Sequence, residues 1–298
     1  MNSRGDTLRT AFLYPGQGGL PEGLPPTSTE VERLYEIAAA EGLPLAEWMS
    51  AGDGDRFVDT EVAQPAILID SLARDGALRQ AGLSPTCVAG HSLGEYAALV
   101  AAGAIAPDDA LRLVIERGRL MGSVAGAMAA IVKLAVQTVR ALCERVGPEV
   151  VVANHNGPSQ TVVSGTEGGV DRVIEMAQAA GGRGIRLRVS GPFHSPFMEP
   201  AQRALGDAID RIAFREPSVS FVSGVTGELE DDVDRLRELM KVQMTSCVRW
   251  VDVVDRLVTA GVTCAVEVGA GSVLTNLGKR ITDRIRFVTY EEAADGGV

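Results

Sequence analysis

A serine enclosed by two glycines is the first residue whose surroundings suggest chemistry. Ser92 lies in the segment Gly90-His91-Ser92-Leu93-Gly94, which has the form Gly-x-Ser-x-Gly. An apolar stretch ends at Ala89 and an alanine-rich run follows at 95–102. A strand, a tight turn and a helix hold a serine hydroxyl at a strained bend, where the first N–H groups of the helix can stabilise an oxyanion. We therefore interpret Ser92 as a nucleophile that accepts an acyl group.

A nucleophilic serine needs a base within hydrogen-bonding distance, and the chain has only three histidines. His194 is favoured because prolines on both sides restrict its loop. His91 follows Gly90 in the turn itself, where adjacent side chains diverge, so a packing role is expected for it. His155 fits a turn at a strand end. Packing at a domain junction is the alternative for His194.

No aspartate or glutamate clearly completes a catalytic triad. Asp171 and Glu175 lie between Ser92 and His194 in the chain, but on a predicted helix face that we expect to be exposed. A backbone carbonyl could orient the imidazole instead. A serine hydrolase, in which the chain order is serine, acid and histidine, stays open as an alternative and requires an acid partner.

Two further polar side chains are candidates for the same site. Arg117 lies on a predicted helix with an apolar face, and is either a surface arginine or a buried guanidinium that binds a substrate carboxylate through its planar fork. Arg119 is then the solvated neighbour. Gln17 lies between glycines at a strand end and is either a turn residue or an oxyanion donor. This loop lacks the Lys-Ser/Thr of a phosphate loop.

The composition limits the classes of partner. A net charge of −11 argues against nucleic acid or an anionic membrane as a partner of the whole surface, although basic clusters occur at 183–188 and 279–286. Four widely spaced cysteines predict free thiols in a reducing cytoplasm. Three scattered histidines make a zinc site improbable. The polar start of the chain shows no signal peptide, and the apolar stretch 120–136 is too short to span a membrane, which takes about 20 residues.

The order of predicted elements indicates an α/β protein of two units. Residues 126–190 follow the order β-α-β-β-α-β, a split βαβ unit of about 65 residues. This unit is inserted into a larger domain made of residues 1–125 and 191–298. In the larger domain we predict strands at 10–14, 87–89, 220–222 and 264–268. We also predict helices at 27–40, 95–102 and 107–121, another that begins at Gln64-Pro65, and a frayed tail from residue 291.

Taken together, these motifs resemble the malonyl-CoA:acyl-carrier-protein acyltransferases. That family includes the enzyme of fatty-acid synthesis and the free-standing or embedded acyltransferases of polyketide synthases. The resemblance covers about residues 9–288 and is specific because many motifs agree in order and spacing. They are Tyr14-Pro15-Gly16-Gln17-Gly18, Gln64-Pro65, Gly90-His91-Ser92-Leu93-Gly94-Glu95, Arg117, Gly126-Ala127-Met128, Asn154-His155-Asn156-Gly157-Pro158, Phe193-His194-Ser195, Val225-Thr226-Gly227, Gln243, Val248-Arg249-Trp250 and Glu267-Val268-Gly269.

The resemblance implies an α/β-hydrolase-like large domain with a ferredoxin-like insert, and it implies a role for each matching residue. Ser92 would be acylated, His194 would be the base, and the backbone carbonyl of Gln243 would orient it. The remaining roles are the oxyanion hole, formed by the N–H groups of Gln17 and Leu93, and the substrate site, formed by Arg117 for the malonyl carboxylate together with Phe193, Gln64 and Met121.

The resemblance also implies substrates and partners. Malonyl-CoA is the expected donor, and the phosphopantetheine thiol of an acyl carrier protein is the expected acceptor. Transfer would be ping-pong, with no bound cofactor and no metal. Apart from the resemblance, we expect a monomer in the cytoplasm. Phe193, before the histidine, goes with malonyl and not methylmalonyl. We expect 183–188 to receive the acidic carrier. A carrier-docking subunit without catalysis is a further alternative.

Four departures from the family pattern are visible. Gly19-Leu20-Pro21-Glu22 replaces a Ser/Gln-rich continuation, and the segment 121–126 is shortened. Both are expected to line the approach to the site and to bear on the choice of donor or carrier. Ser223-Gly224 stands where an asparagine often precedes Val-Thr-Gly, and Ala270 replaces a frequent proline.

Overall fold

The computed structural model describes residues 9–21, 23–189 and 191–298. Within this part the chain forms nine strands in two sheets. The strands are β1 (Thr10–Tyr14), β2 (Cys87–Gly90), β3 (Ala127–Val132), β4 (Val150–Gly157), β5 (Gln160–Gly165), β6 (Arg183–Arg186), β7 (Ser220–Val222), β8 (Cys264–Glu267) and β9 (Arg286–Thr289). The polar chain start, Glu22 and Ser190 lie outside the described residues.

Helices surround both sheets. They are α1 (Thr29–Ala40), α2 (Leu45–Ser50), α3 (Thr60–Gln80), α4 (Gly94–Ala101), α5 (Pro107–Gly122), α6 (Val136–Val146), α7 (Glu167–Ala179), α8 (Glu199–Ile209), α9 (Val233–Val242), α10 (Trp250–Thr259), α11 (Val273–Ile281) and α12 (Tyr290–Ala294). Short 3₁₀ helices occur at Gly54–Val58, Pro196–Met198 and Gln243–Thr245. In the described part of the chain, no helix combines the length and the apolar character needed to cross a membrane.

The larger sheet is parallel throughout, in the order β7-β2-β1-β8-β9. Its three inner strands are fully buried, as expected for a parallel sheet with helices on both faces. Side chains of a strand alternate between faces, and β1 does so here. Phe12 and Tyr14 join one apolar core, while Ala11 and Leu13 join the other. The carboxyl ends of these strands form the edge where the candidate site lies.

The smaller sheet is antiparallel, in the order β4-β5-β3-β6. Its elements follow each other as β3-α6-β4-β5-α7-β6, which confirms the predicted β-α-β-β-α-β order. Helices α6 and α7 share a separate apolar core with the sheet, built around Val139, Val163 and Val173. The backbone of Val248 pairs with the middle of β4, so the smaller sheet is hydrogen-bonded to the rest of the chain.

Three predicted boundaries were wrong. Helix α1 begins at Thr29, with Ser28 as its cap, and not at residue 27. Helix α3 begins at Thr60, before the predicted start, and Pro65 lies inside it, because the proline had been interpreted as a first-turn residue. The tail from 291 is not frayed throughout, because a capping box at Thr289 starts α12.

Candidate active site

Ser92 occupies the bend between β2 and α4 with a φ of +53°, a left-handed conformation that is strained for a non-glycine residue. The flanking glycines are required by close packing. A Cβ atom on Gly90 would overlap the backbone of Gly94, and one on Gly94 would overlap the carbonyl of Tyr14. The serine hydroxyl is therefore fixed at the carboxyl edge of the parallel sheet.

Ser92 opens into a cleft of about 480 Å³. One wall comes from the larger unit, including the loop 15–20 and the start of α11. The other wall comes from the smaller sheet and the segment after it, including Met128, Asn154 and Leu187. The cleft is thus closed by both units, as is common for ligand sites at such junctions.

His194 reaches Ser92 across the cleft. Its Nε2 lies 2.7 Å from the Ser92 Oγ. Its Nδ1 lies 3.1 Å from the carbonyl oxygen of Gln243 and 2.9 Å from that of Ser246. Because carbonyl oxygens only accept, Nδ1 carries the proton and Nε2 is free to accept one. Within the described residues, no carboxylate bonds to this ring, so the acid partner that a hydrolase triad requires is absent there.

The environment of His194 keeps the imidazole neutral. Burial, and next the positive charge of Arg117, lower the pKa of His194 from 6.5 to about 3. Its φ of +57° places it, like Ser92, in the left-handed region. A neutral imidazole with a fixed tautomer, in contact with a hydroxyl, can act as a general base.

Arg117 is the third group at the hydroxyl. Its side chain is 1% exposed, so the interpretation as a surface arginine was wrong. Its Nη2 donates to the Ser92 Oγ at 3.0 Å, and its Nη1 donates to the Gln64 Oε1 at 2.7 Å. Burial lowers the pKa of Arg117 from its usual value, yet arginine stays charged in proteins. Among the residues described, no carboxylate forms an ion pair with it, while the exposed Arg119 pairs with Glu41.

Backbone N–H groups are available on both sides of Ser92. Gln17 and Leu93 both line the cleft. In the described part of the chain, their amide N–H groups donate to no other backbone group. The Gln17 side chain is held by Thr60 at 3.0 Å, which fixes the loop after β1. Such free donors are suited to a negatively charged oxygen.

The other predicted substrate residues line the inner end of the cleft. Gln64, Met121 and Phe193 are buried and all contact this cavity. The Gln64 Nε2 donates to the Met121 sulfur at 3.5 Å. The structure therefore brings together every residue that the sequence singled out for the site.

The remaining candidates lie elsewhere or have structural contacts. The His91 ring bonds to Asn156 at 2.9 Å and packs edge-on against Trp250, in agreement with a packing role. His155 is half-buried in β4. Asp171 and Glu175 are exposed on α7, as expected. In residues 9–21, 23–189 and 191–298, no three His, Cys, Asp or Glu side chains cluster as metal ligands would.

Residues 28–293 match a family model described as the acyl transferase domain. The chain belongs to this acyltransferase family.

Similar proteins have closely related names. The chain is 36% identical to a malonyl CoA-acyl carrier protein transacylase of Bacillus subtilis (strain 168), covering 95% of the chain and 94% of the relative. The structure matches an acyl-carrier-protein S-malonyltransferase of Burkholderia pseudomallei 1710b with a TM-score of 0.90 at 35% identity, over 97% and 100% of the two chains. It also matches a malonyl-transacylase in complex with a type II polyketide synthase acyl-carrier protein, with a TM-score of 0.88 at 31% identity, over 97% and 99% of the chains.

Sequence reasoning missed several groups in this acyltransferase. Glu95 is 2% exposed, three residues after the nucleophile candidate, and its carboxylate accepts hydrogen bonds from Ser223, Gly224 and Gln243. A single glutamate in the otherwise apolar run 95–102 was a signal that could have revealed it. The Ser246 carbonyl was also missed, because a backbone acceptor leaves no trace in residue types.

Proposed function

We propose that this acyltransferase moves a malonyl group from CoA to the phosphopantetheine thiol of an acyl carrier protein through an acyl-Ser92 intermediate. One observation carries the proposal. The Ser92 Oγ is contacted both by a neutral imidazole, at 2.7 Å, and by a buried guanidinium, at 3.0 Å. A base is needed by every acyl transfer, but a buried cation beside the nucleophile is suited to an acyl group with its own carboxylate.

In the first half-reaction, the Ser92 Oγ attacks the thioester carbon and its proton passes to the His194 Nε2. The resulting oxyanion accepts hydrogen bonds from the Gln17 and Leu93 amides, each of which contributes about 3 kcal/mol in comparable sites. The carbon–sulfur bond then breaks, and the leaving CoA sulfur takes the proton from His194. The products are malonyl-Ser92 and free CoA.

In the second half-reaction, the carrier thiol gives its proton to the neutral His194 and attacks the same carbonyl carbon. The ester bond to Ser92 breaks, and the serine oxygen recovers the proton from the imidazolium. The carbonyls of Gln243 and Ser246 hold the ring in one tautomer throughout both steps. No cofactor takes part in these steps.

Selectivity follows from the charge of Arg117. The guanidinium bonds to neutral partners, Gln64, Ser92 and Gln243, and a malonyl carboxylate would give it an anion. An acetyl group would leave the buried charge without one, which disfavours acetyl-CoA. The buried Phe193 limits the space beside the acyl group and favours malonyl over methylmalonyl.

The remaining assignments follow from the family. We propose an α/β-hydrolase-like large domain, 1–125 and 191–298, with a ferredoxin-like insert at 126–190. We further propose a monomer that works in the cytoplasm, where four free cysteines are expected to stay reduced. For the carrier we propose docking near 183–188. Arg188 is exposed on the cleft wall there, whereas Arg186 is already paired with two acidic side chains.

A panel of acyl-CoAs tests this function directly. The protein is incubated with malonyl-, methylmalonyl-, acetyl- and succinyl-CoA, and the mass added at Ser92 is measured. We expect a malonyl adduct that persists in buffer and disappears when a holo carrier protein is added, with the malonyl group recovered on the carrier. Rapid loss of the adduct to water without carrier would contradict the proposal and indicate a hydrolase. No adduct with any of the four donors would indicate a non-catalytic role.

A further inference from the structure

Glu95 is a buried charge that the proposed reaction does not use. It lies in the first turn of α4 and does not line the cleft. Its Oε1 accepts from the Gly224 N–H at 2.7 Å and from the Ser223 hydroxyl at 3.2 Å, and its Oε2 accepts from the Gln243 side-chain amide. Burial raises the pKa of Glu95, while these donors oppose that shift. These three donors hold the Glu95 carboxylate in one fixed position.

The amide of Gln243 connects Glu95 to Arg117. Its Nε2 donates to Glu95 and, at 3.0 Å, to the Ser92 carbonyl. Its Oε1 accepts from the Arg117 Nη2 at 3.4 Å. A carboxylate only accepts hydrogen bonds and a guanidinium only donates them. An amide between these two groups therefore fits in one orientation only, with its oxygen towards the arginine.

This arrangement keeps a buried anion near a buried cation without direct contact. Glu95 favours the charged form of Arg117 electrostatically, which lessens the free-energy penalty of burying the guanidinium. A direct ion pair would engage the same N–H groups that an incoming carboxylate needs. With the Gln243 amide between them, Glu95 still stabilises the charge of Arg117, and the guanidinium remains available to a ligand.

We propose that Glu95 is a positioning residue for carboxylate selectivity, acting through the side-chain amide of Gln243 to hold Arg117 ready for a negatively charged acyl group. The inference rests on the proposed function and adds to it a residue that never touches the substrate. Glu95 is not a catalytic residue, because no reacting atom is within its contacts. Its effect is on which acyl group is accepted.

The test is Glu95→Gln, which removes the charge at almost constant shape. The new NH₂ group takes the place of one carboxylate oxygen, so it faces either the Nε2 of Gln243 or the Gly224 N–H. In both orientations two donors oppose each other, unless Gln243 turns and presents its NH₂ to Arg117. A buried donor without an acceptor corresponds to about a tenfold loss. We therefore expect kcat/KM for malonyl-CoA to fall about tenfold, mainly through KM, with acetyl-CoA affected much less.

Glu267→Gln is the matched control. Glu267 is also fully buried and accepts two backbone N–H groups, those of Leu274 and Thr275, but it bonds to none of Ser92, Gln243 and Arg117. We expect it to lower the melting temperature without changing the ratio of malonyl to acetyl labelling. An equal change of that ratio in both variants would overturn the proposal, because it would reduce Glu95 to a structural role.

Gln243→Leu covers the case in which Glu95→Gln does not fold. It removes the amide but keeps the backbone carbonyl that faces His194, and we expect the same loss of malonyl preference. A preserved malonyl-to-acetyl ratio in whichever variant folds overturns the proposal. Malonyl labelling of the wild-type protein tests the proposed function by itself. A failure of the proposed function can therefore be distinguished from a failure of the Glu95 proposal.

Discussion

Arginines on helices α3 and α5 have opposite kinds of partner: the half-buried pair on α3 contacts carboxylates, and the buried Arg117 on α5 contacts neutral groups. On α3, the Nε of Arg74 donates to both carboxylate oxygens of the fully buried Asp70, and Arg79 pairs with Asp75. Each carboxylate lies one helical turn before its arginine, as the spacing of an α-helix favours. On α5, Arg117 is more deeply buried than either, yet its hydrogen-bond partners are neutral.

Under the proposed function, the difference separates arginines that stabilise the fold from one that binds the substrate carboxylate. The cations of α3 are neutralised within the fold, so they contribute to the cohesion of α3 with its neighbours. Arg74, for example, also contacts Glu291 and stacks over the Tyr290 ring, which attaches α12 to α3. Arg117 has no direct contact with a carboxylate among the described residues; the side-chain amide of Gln243 lies between it and Glu95. The proposed function makes this buried cation, with its neutral partners beside Ser92, the site for an anionic acyl group.

Removing the Ser92 hydroxyl should have the largest effect, because it should abolish acyl transfer and leave the binding of malonyl-CoA intact. Ser92→Ala leaves Arg117 in place, so we expect malonyl-CoA to bind while the adduct is lost and transfer falls by a factor on the order of 10⁶, as for other serine nucleophiles. Intact mass and calorimetry measure the two quantities. Ser218→Ala, at a hydroxyl that bonds to Ala102 away from the cleft, is the control. A persistent adduct in Ser92→Ala would refute the assignment of the nucleophile.

Arg117→Leu should abolish selectivity while leaving the protein folded. We expect malonyl transfer to fall about 10²-fold, because the substrate carboxylate would be buried without its partner, which costs about 3 kcal/mol or more. Acetyl labelling should increase. The malonyl-to-acetyl ratio of Ser92 labelling is the measurement. An unchanged ratio would remove the carboxylate role of Arg117 and, with it, the contrast between α3 and α5.

Arg74→Ala should have the reverse profile. It leaves the carboxylate of Asp70 buried without its partner, which we expect to lower the free energy of unfolding by about 3–5 kcal/mol. The folded fraction of Arg74→Ala should have the malonyl-to-acetyl labelling ratio of the wild type. Removing the exposed Arg119–Glu41 pair is the control, because a surface ion pair contributes only about 0–1 kcal/mol to the free energy of unfolding. A changed malonyl-to-acetyl ratio in Arg74→Ala would show that the two helices are not functionally distinct.

The smallest expected effect is on the pH dependence of stability. The pKa of His194 is about 3 in the folded protein and near 6.5 when exposed, so between these values the unfolded chain binds a proton that the folded one does not. Stability therefore falls with decreasing pH, by about 2 kcal/mol from this residue between pH 7 and 5. Denaturant titrations of the wild type and His194→Gln measure it. Equal pH slopes in the two proteins would contradict a low folded-state pKa.

The pKa of His194 also reveals whether Arg117 is charged and close to it. Because the guanidinium lowers the pKa of His194, Arg117→Leu should raise that pKa and shift the acid limb of acetyl transfer to higher pH. Arg74→Ala should leave the limb in place, since Arg74 is not among the causes of this shift. A limb that moves in both variants would mean that His194 senses overall stability and not the local charge.

The sequence predicted the parts of this protein that depend on local pattern. The strand before Ser92, the helix after it and the β-α-β-β-α-β order follow from apolar periodicity and glycine placement, and the structure confirms them. The burial of Arg117 could not be decided from spacing, since a helix face does not reveal what covers it. Packing of α3 against α5 settles that question, and it depends on contacts between residues far apart in the chain.

Other features had no readable signal. The hydrogen bond between the Ser246 carbonyl and the imidazole uses a backbone oxygen, which every residue type possesses, and that of the Gln243 carbonyl was expected from the resemblance alone. Strand β9 was also missed. It pairs with β8 through the register Cys264 to Arg286, and it is short and partly exposed, so its apolar pattern is weak. The hydrogen bonds of Glu95 join it to Ser223 and Gly224, which lie 128 and 129 positions further along the chain, so no local pattern indicates them.

The contact between Ser92 and His194 joins residues 102 positions apart, and the ring is held by a carbonyl that lies 52 positions further on. During synthesis on the ribosome, Ser92 therefore emerges long before the atoms that activate it. Until Ser246 has left the exit tunnel and docked, the hydroxyl is an ordinary alcohol that cannot capture thioesters. The growing polypeptide is therefore chemically silent towards acyl thioesters until Ser246 is in place.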